Sequence, residues 1–282
     1  MQIVRTNSEL SEALVQFAGP VQFVPTMGAL HAGHASLINQ AAREREDNGA
    51  VVTSIFVNKL QFNDARDYET YPRNESADAK LCEMAGCDLL YVPNQEEIYP
   101  SGFGGTTITV KGVSENWEGA HRPGHFDGVA TVVSKLFHLV LPDYAYFGEK
   151  DWQQCCVIRR MVADLDIPVW LRIAPTVREE DGLAMSSRNQ LLAPEFREVA
   201  PQLYRQINFC AEQFFLGVPP RVVEAEAASR LLQSGFSAVD YVAIVNENTL
   251  EPVETDAEFA RVLAAATLGG VRLIDNLRVI QK

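Results

Sequence analysis

The sequence predicts an α/β protein: a Rossmann-like, doubly wound parallel sheet followed by a smaller α+β domain. From residue 21 to about residue 175, short β-branched or aromatic runs alternate with longer helical patterns, which is typical of βαβ units. The runs are mostly apolar throughout, as expected for strands of a parallel sheet that is buried on both faces. We expect strands at residues 21–24, 51–57, 89–92, 144–147 and 169–173, and helices at residues 32–46, 75–85, 129–140 and 151–164.

The pattern changes after residue 176, where we place a domain boundary. Gly269 and Gly270 separate two alternating apolar runs, and a glycine pair in this position favours a hairpin because both residues can take positive φ. We therefore predict a Rossmann-like domain at 1–176 and a smaller α+β domain at 177–282. The elements expected in the second domain are helices near 195–216 and 221–234 and strands at 239–245, 260–267 and 271–279.

The composition favours small-molecule chemistry over nucleic-acid binding. The chain has 282 residues, and its 37 acidic and 24 basic residues give a formal net charge of −13. Such a surface repels nucleic acid on balance, although a few local cations and backbone amides can still hold a phosphate. The five cysteines include an adjacent pair, which fits reduced thiols in a cytoplasmic protein better than a disulfide scaffold. We expect no membrane span, because long uncharged apolar runs are absent from the sequence.

The densest chemical signal lies at residues 25–34, which end one predicted strand and open a predicted helix. Backbone amides and the helix dipole at such a junction favour phosphate, and Gly28 and Gly33 let a bulky nucleotide approach the main chain. His31 and His34 are three residues apart, so both rings project to one side of the first helical turn. There they can donate to a triphosphate, with His34 as proton donor, and stabilise the charge that builds during phosphoryl attack. A zinc site is a weaker interpretation, because no third ligand follows at helical spacing.

A second cluster, residues 147–154, also follows a strand and opens a helix, so we expect it at the same carboxyl edge of the sheet. Lys150 is placed to contact phosphate as a mobile charge. Asp151 is placed to cap the helix and to meet ribose or a magnesium shell. Both clusters can therefore line one crevice.

A third cluster lies just past the predicted domain boundary, at residues 185–189. It follows the acidic stretch 179–182, which we expect to be flexible. The hydroxyls of Ser186 and Ser187 and the guanidinium of Arg188 can form a clamp that closes over ATP. A serine-rich helix cap is the alternative interpretation of this segment.

Together these motifs make the chain resemble, over nearly its whole length, the pantothenate synthetase (pantoate–β-alanine ligase) family of the HIGH/KMSKS nucleotidyltransferase superfamily. The order of the motifs is specific to that family. The resemblance rests on residues 25–34, 54–58, 61–62, 71–73, 118–119, 122–126, 147–154 and 185–189.

The resemblance implies an ATP-dependent condensation of pantoate with β-alanine through pantoyl adenylate, with Mg²⁺ as cofactor and a homodimeric assembly. It implies catalytic roles for His31, His34, Lys150, Ser186, Ser187 and Arg188. It implies ATP contacts from Met27, Gly28, Ala29, Leu30, His31, Ala32, Gly33, His34, Gly148, Glu149, Lys150, Asp151, Val177, Met185, Ser186, Ser187 and Arg188.

The resemblance further assigns pantoate to Gln61, Gln154 and Met27, and places Gln61 near β-alanine. Neutral amides can hydrogen-bond the hydroxyls and carboxylate of pantoate while apolar side chains cover its methyl groups. The magnesium ligands stay open, because Asp78 and Asp151 are both candidates. The C-terminal domain is expected to act as a lid that carries residues 185–189.

The sequence also shows two departures from regular patterns and leaves two alternative functions. Lys59 stands where the family usually has proline, so the loop that carries Gln61 loses a φ constraint. His121 and His125 are separated by Pro123-Gly124, which argues against one regular helix and a metal pair. The alternative functions are another adenylyl- or cytidylyltransferase of the superfamily, and a non-catalytic nucleotide-binding relative. The glutamine pair disfavours the first alternative, and the retained cluster of histidine, lysine, serine and arginine side chains disfavours the second.

Overall fold

The computed structural model describes residues 1–63, 65–103, 105–254 and 259–279, with residues 65 and 67 described by their backbone alone. Within this part the chain divides into two compact units. The first comprises Met1–Glu149 and Val157–Pro175, and the second comprises Lys150–Cys156 and the chain from Thr176 onward. The domain boundary at 176–177 stays a prediction.

The first unit is built on a parallel sheet with helices in the connections between its strands. Its strands are β1 (Gln2–Val4), β2 (Val21–Thr26), β3 (Ala50–Ile55), β4 (Leu89–Tyr91), β5 (Tyr144–Gly148) and β6 (Trp170–Ala174). Its helices are α1 (Asn7–Leu14), α2 (Ala32–Glu44), α3 (Ala65–Thr70), α4 (Glu75–Met84), α5 (Gln95–Ile98), α6 (Glu118–His121) and α7 (His125–Val140), followed by α8 (Trp152–Asp164), whose first five residues group with the second unit.

The strand order in this sheet places two sequence motifs side by side. The described strands pair in the order β1-β4-β3-β2-β5-β6, and every pair is parallel. The chain winds outward from β2 in both directions, so the carboxyl ends of β2 and β5 are neighbours at a topological switch point. Ligands of open α/β sheets bind at such points. The structure thus confirms the predicted doubly wound parallel sheet.

The strands of the first unit are buried as their composition predicts. Phe23 and Val24 of β2 and Val51 and Val52 of β3 are completely buried. Helices cover both faces of such a sheet, so side chains on both faces of a strand are buried. The sequences of β2 and β3 are therefore mostly apolar, without regularly alternating polar residues. The core therefore holds the strand ends, and the loops that follow them, in fixed positions.

Helix α7 begins four residues earlier than expected, at His125 rather than at residue 129. Gly124 takes a left-handed conformation with φ of +79° and separates α7 from α6. The first turn of α7 lies outside the apolar periodicity because its buried residues, His125, Phe126 and Gly128, include only one large hydrophobic side chain. This break also confirms that His121 and His125 do not lie on one regular helix.

The second unit combines helices with an antiparallel sheet. Its helices are α9 (Pro194–Val199), α10 (Gln202–Phe215) and α11 (Pro220–Gln233), and its strands are β7 (Ala238–Asn246), β8 (Ala260–Leu268) and β9 (Val271–Arg278). The sheet order is β7-β8-β9, with both pairs antiparallel. The α+β class predicted for this part of the chain is therefore confirmed.

The predicted glycine hairpin is present, whereas the predicted long helix is divided. Gly269 and Gly270 have φ of +55° and +77°, and Leu268 pairs with Val271 across the turn. The helix expected at 195–216 is two helices, α9 and α10, because Pro201 cannot donate a backbone hydrogen bond within a continuous helix. In the described residues, we find no helix with both the length and the apolar character needed to cross a bilayer.

Candidate active site

The loop between β2 and α2 has an unusual backbone conformation at two consecutive residues. Gly28 has φ of +79° and Ala29 has φ of +50°, both in the left-handed region. Glycine adopts this region without steric cost, whereas alanine does so at a cost of about 1 kcal/mol. The rest of the structure must therefore hold Ala29 in place.

Asp78 of α4 supplies that restraint. Its Oδ2 accepts a hydrogen bond from the Ala29 amide at 3.0 Å, and its Oδ1 accepts one from the Leu30 amide at 2.8 Å. The carboxylate is buried, and a Cβ built on Gly28 would lie 3.0 Å from its Oδ2. Gly28 is thus required both by its φ and by this close approach. The sequence indicates Asp78 only as a magnesium candidate. Its partners, Ala29 and Leu30, lie 49 and 48 positions earlier in the chain, so no local pattern indicates the contact.

The two histidines lie together at the start of α2, as the sequence predicts. Their ring centroids are 4.2 Å apart. His31 is the N-cap, and its Nδ1 accepts from the Gly33 amide at 3.1 Å, while His34 Nδ1 accepts from the His31 amide at 3.2 Å. Because each Nδ1 is an acceptor, the hydrogen-bond network assigns the proton of each neutral ring to Nε2. The helix start therefore carries two imidazole N–H donors on the far sides of the rings.

Gln61 follows β3 and lies against Met27, so the structure brings together two of the residues assigned to pantoate. The Gln61 side chain is buried; its Oε1 accepts from Asn58 Nδ2 at 3.4 Å, and its Nε2 is in contact with Met27 Sδ. Lys59 starts a 3-10 turn that Asn58 caps, with Asn58 Oδ1 accepting from the Leu60 amide at 3.3 Å. This cap restrains the turn that begins at Lys59.

A cavity of about 240 Å³ opens beside the loop, at the carboxyl ends of β2 and β3. Met27, Phe56 and other apolar side chains line it together with the polar side chains of Arg73 and Asp78. A mixed lining of this kind suits a small molecule that has both polar groups and methyl groups.

The β5 motif is divided between the two units. Gly148 and Glu149 belong to the first unit, and Gly148 ends the strand that neighbours β2. Lys150 and Asp151 belong to the second unit, where Lys150 Nζ lies 3.9 Å from Asp151 Oδ1. Gln154 is half-buried in the first turn of α8.

The backbone at Lys150 is tied to the sheet of the second unit. The Lys150 carbonyl accepts from Asn276 Nδ2 at 2.8 Å, and Trp152 Nε1 donates to the Glu247 carbonyl at 2.8 Å. The buried Arg261 guanidinium lies 3.7 Å from the centroid of the Trp152 ring and donates to Asn276 Oδ1 at 2.5 Å. Sequence reasoning missed this network, although the adjacent polar residues Asp275 and Asn276, next to the apolar residues Leu273 and Ile274 of β9, are a signal of it.

The acidic stretch at 179–182 makes ion pairs with α9, and its flexibility stays a prediction. Arg197 of α9 pairs with Glu179 at 2.9 Å and with Asp181 at 2.6 Å. The hydrogen bond from Arg197 holds the pKa of Asp181 below the usual range of an aspartate. Arg178 makes two hydrogen bonds, at 2.6 and 2.9 Å, to the buried carboxylate of Asp275.

The segment at 185–189 starts a 3-10 turn, Ser187–Leu191. Ser186 caps this turn, and its Oγ accepts from the Arg188 amide at 3.2 Å. Ser186 can therefore act both as a cap and as part of an ATP clamp, because a capping oxygen keeps its hydroxyl proton available for donation. Val177 lies opposite, and its carbonyl accepts from the Met185 amide at 3.0 Å.

The candidate residues thus form two sets. The first unit carries Met27, Gly28, Ala29, Leu30, His31, Ala32, Gly33, His34, Gln61, Gly148 and Glu149, and the second carries Lys150, Asp151, Gln154, Val177, Met185, Ser186, Ser187 and Arg188. The convergence of both sets on one nucleotide stays a prediction.

Comparison with known proteins gives the same family from sequence and from structure. Residues 2–278 match the model of a family described as pantoate-beta-alanine ligase. A pantothenate synthetase of Rhizorhabdus wittichii is 51% identical over 282 residues, covering 99% of each chain. The crystal structure of a pantothenate synthetase from Thermus thermophilus superposes with a TM-score of 0.92, at 48% identity and full coverage of both chains.

A third relative was solved with ligands. The pantoate-beta-alanine ligase of Francisella tularensis, complexed with beta-gamma ATP and beta-alanine, superposes with a TM-score of 0.84 at 33% identity, covering 100% of this chain and 99% of that one. A family model that spans nearly all residues and relatives at about half identity agree on one assignment. The chain belongs to the pantoate-beta-alanine ligase family.

Proposed function

We propose that this enzyme condenses pantoate with β-alanine at the expense of ATP. In the first step a carboxylate oxygen of pantoate attacks the α-phosphorus of ATP, and pyrophosphate leaves with the electrons of the broken P–O bond. In the second step the amine of β-alanine attacks the acyl carbon of pantoyl adenylate, AMP leaves, and the amine releases a proton. The products are pantothenate, AMP and pyrophosphate.

The observation that carries this proposal is the pair of imidazole donors at the start of α2. Each Nδ1 accepts a hydrogen bond from a backbone amide. This bond fixes the ring and leaves its N–H on Nε2. Donors that are already oriented stabilise developing charge on the triphosphate without reorganising in the transition state. The dipole of α2 adds to this effect, since the helix begins where the phosphates would lie.

The remaining roles follow the two sets of residues. Lys150, Ser186, Ser187 and Arg188 would complete the charge stabilisation on ATP, with Gly148, Glu149, Asp151, Val177 and Met185 contacting the nucleotide. Gln61, Gln154 and Met27 would bind pantoate, and Gln61 would lie near β-alanine. The contact between Gln61 Nε2 and Met27 supports a shared subsite for an amide donor and an apolar cover. The ligands of the Francisella relative support ATP and β-alanine as substrates.

Mg²⁺ is the metal that the family resemblance implies, and it would neutralise charge on the ATP phosphates. Both oxygens of Asp78 accept hydrogen bonds from backbone amides. This carboxylate is therefore poorly suited to bind a metal while it holds the loop. Asp151 fits better, since its side chain is 48% exposed. Within the described residues no group of three or more His, Cys, Asp or Glu side chains is arranged to hold a metal. We propose that Mg²⁺ enters with ATP and keeps phosphate oxygens and waters as ligands.

We further propose a cytoplasmic homodimer, and we assign no role in nucleic-acid or membrane binding. The formal charge of −13 disfavours nucleic acid, and the five buried, unbridged cysteines fit the cytoplasm. The homodimer rests on the family resemblance alone. We also propose that the 185–189 segment closes over ATP. The ion pairs of Arg197 with Glu179 and Asp181 would hold the chain just before this segment.

The test is the release of AMP from ATP, measured with pantoate and β-alanine together and with each left out in turn. We expect sustained AMP release only when both acids are present, with one pantothenate formed for each AMP. Turnover of ATP with a nucleotide or nucleotide precursor, and none with the two acids, would instead identify another adenylyl- or cytidylyltransferase. The absence of any turnover in folded, ATP-binding protein would identify a non-catalytic relative.

A further inference from the structure

The segment that carries Gln61 is attached to the first turn of α7, and to Arg122 just before that helix, by several independent contacts. The Gln61 carbonyl lies 2.8 Å from His125 Nδ1 and accepts from Arg122 Nη2 at 3.2 Å. Asn58, which contacts the Gln61 amide, also donates to the Gly128 carbonyl at 2.9 Å. We call Arg122, His125 and Gly128 the α7 platform.

Gly128 allows this attachment because it has no side chain. A Cβ built at this position would lie 2.5 Å from the Leu60 carbonyl oxygen and 2.7 Å from the Gln61 nitrogen. Real Cβ atoms do not approach backbone atoms so closely, so any larger residue would push the turn at 59–61 away from α7. The position of Gln61 therefore depends on the surface of α7.

The contacts of His125 determine which of its nitrogens carries the proton. A backbone carbonyl only accepts, so Nδ1, which faces the Gln61 carbonyl, must be the donor. Nε2 lies 3.2 Å from Arg122 Nη1, and because a guanidinium only donates, Nε2 must be the acceptor. The buried ring is thus neutral, with its proton on Nδ1. Glu118, 3.8 Å from Arg122 Nη1, balances the guanidinium charge.

We propose that the α7 platform positions Gln61 for pantoate binding, with His125 as the positioning residue that acts through the Gln61 carbonyl. Asn58 fixes the amide by occupying Oε1, so the Nε2 donors are directed toward Met27. The platform fixes the backbone through the Gln61 carbonyl. A substrate oxygen then meets a donor whose orientation is set before binding, which lowers the entropic cost of binding pantoate. This inference rests on the proposed function, in which Gln61 binds pantoate.

The test compares His125→Asn with His125→Gln. The Asn amide reaches the place of Nδ1 and keeps a donor for the Gln61 carbonyl, but it loses the contact with Arg122. The Gln amide reaches the place of Nε2 and keeps an acceptor for Arg122, but it loses the donor to Gln61. We expect His125→Gln to raise the pantoate KM about tenfold with kcat and the ATP KM little changed, which is the scale of one lost hydrogen bond. His125→Asn should stay within about threefold of the parent.

Two further variants distinguish positioning from general damage. His138→Gln changes an exposed histidine on the same helix and should leave all three substrate KM values unchanged. Gly128→Ala alters no polar side chain and should raise the pantoate KM as His125→Gln does. If either His125 variant fails to fold, the Gly128→Ala measurement still decides the matter: an unchanged pantoate KM in that variant would refute the platform.

The decisive experiment is a double-mutant cycle that combines His125→Gln with Gln61→Ala. If His125 acts through Gln61, His125→Gln should add less than about twofold to the pantoate KM of Gln61→Ala. Full additivity, or equal pantoate KM values in His125→Asn and His125→Gln, would overturn the inference. Should Gln61→Ala leave the pantoate KM unchanged and raise that of β-alanine, the pantoate assignment fails. The platform is then supported if His125→Gln raises the same β-alanine KM, and is overturned if it does not.

Discussion

Replacing His34 by asparagine should lower kcat at least ~100-fold while leaving the fold and the start of α2 intact, because a preorganised transition-state donor is lost. Asparagine places Oδ1 near the position of Nδ1, so the His31 amide keeps its acceptor, whereas nothing replaces the N–H on Nε2. His34→Ala should lose turnover to the same extent and also remove the side-chain acceptor of the His31 amide. Its free energy of unfolding should fall by about 1 kcal/mol more than that of His34→Asn.

The measurements are kcat from AMP release with both acids at saturation and the free energy of unfolding from denaturant titration. His138→Asn serves as the control, since it makes the same exchange at an exposed position on α7. If His34→Asn keeps turnover within about tenfold of the parent, the Nε2 donor does not have its assigned role.

The second large effect is expected at Asp78, whose carboxylate holds the loop that precedes the histidines. In Asp78→Asn one of the two backbone amides meets an NH₂ group instead of an oxygen, so Ala29 or Leu30 loses its acceptor. The free energy of unfolding should fall by about 1–3 kcal/mol, the cost of an unsatisfied buried donor. Turnover should fall about 10- to 100-fold, since a displacement of about 1 Å in a positioning loop is enough for such a loss.

Asp88→Asn is the matched control for this prediction. Asp88 also accepts a backbone amide, from Val51 at 2.8 Å, and pairs with Arg45. It precedes β4, at the amino edge of the same sheet, away from the strand ends that carry the candidate site. Asp88→Asn should lower stability and leave turnover within about twofold. Equal losses of turnover in both variants would mean that Asp78 contributes stability alone.

The sequence predicts the central architecture because local patterns encode it. The apolar runs of β2, β3 and β5 and the helical patterns between them need no knowledge of distant contacts. The glycine pair at 269–270 specifies its hairpin through φ alone. By contrast, β1 has only three residues, of which Val4 is buried, so it is too short for any periodicity to indicate a strand.

The chemistry of the candidate site is encoded less completely. The spacing of His31 and His34 predicts that the rings lie together, and they do. The protonation of each ring depends on which backbone amide meets Nδ1, and this is visible only in three dimensions. The restraint of Ala29 by Asp78 joins residues 49 positions apart, and the pairing of Arg197 with Glu179 and Asp181 joins residues 18 and 16 positions apart. A sequence pattern cannot indicate such pairs, because their partners are selected by the fold.

The central claim is that the β2–α2 junction activates the carboxylate of pantoate by adenylation before the amine reacts. Exchange of labelled pyrophosphate into ATP measures this step directly, in the presence of pantoate and without β-alanine. We expect label to enter ATP at a rate that His34→Asn lowers as strongly as it lowers kcat. Absence of exchange from an enzyme that makes pantothenate at its normal rate when β-alanine is added would contradict the account.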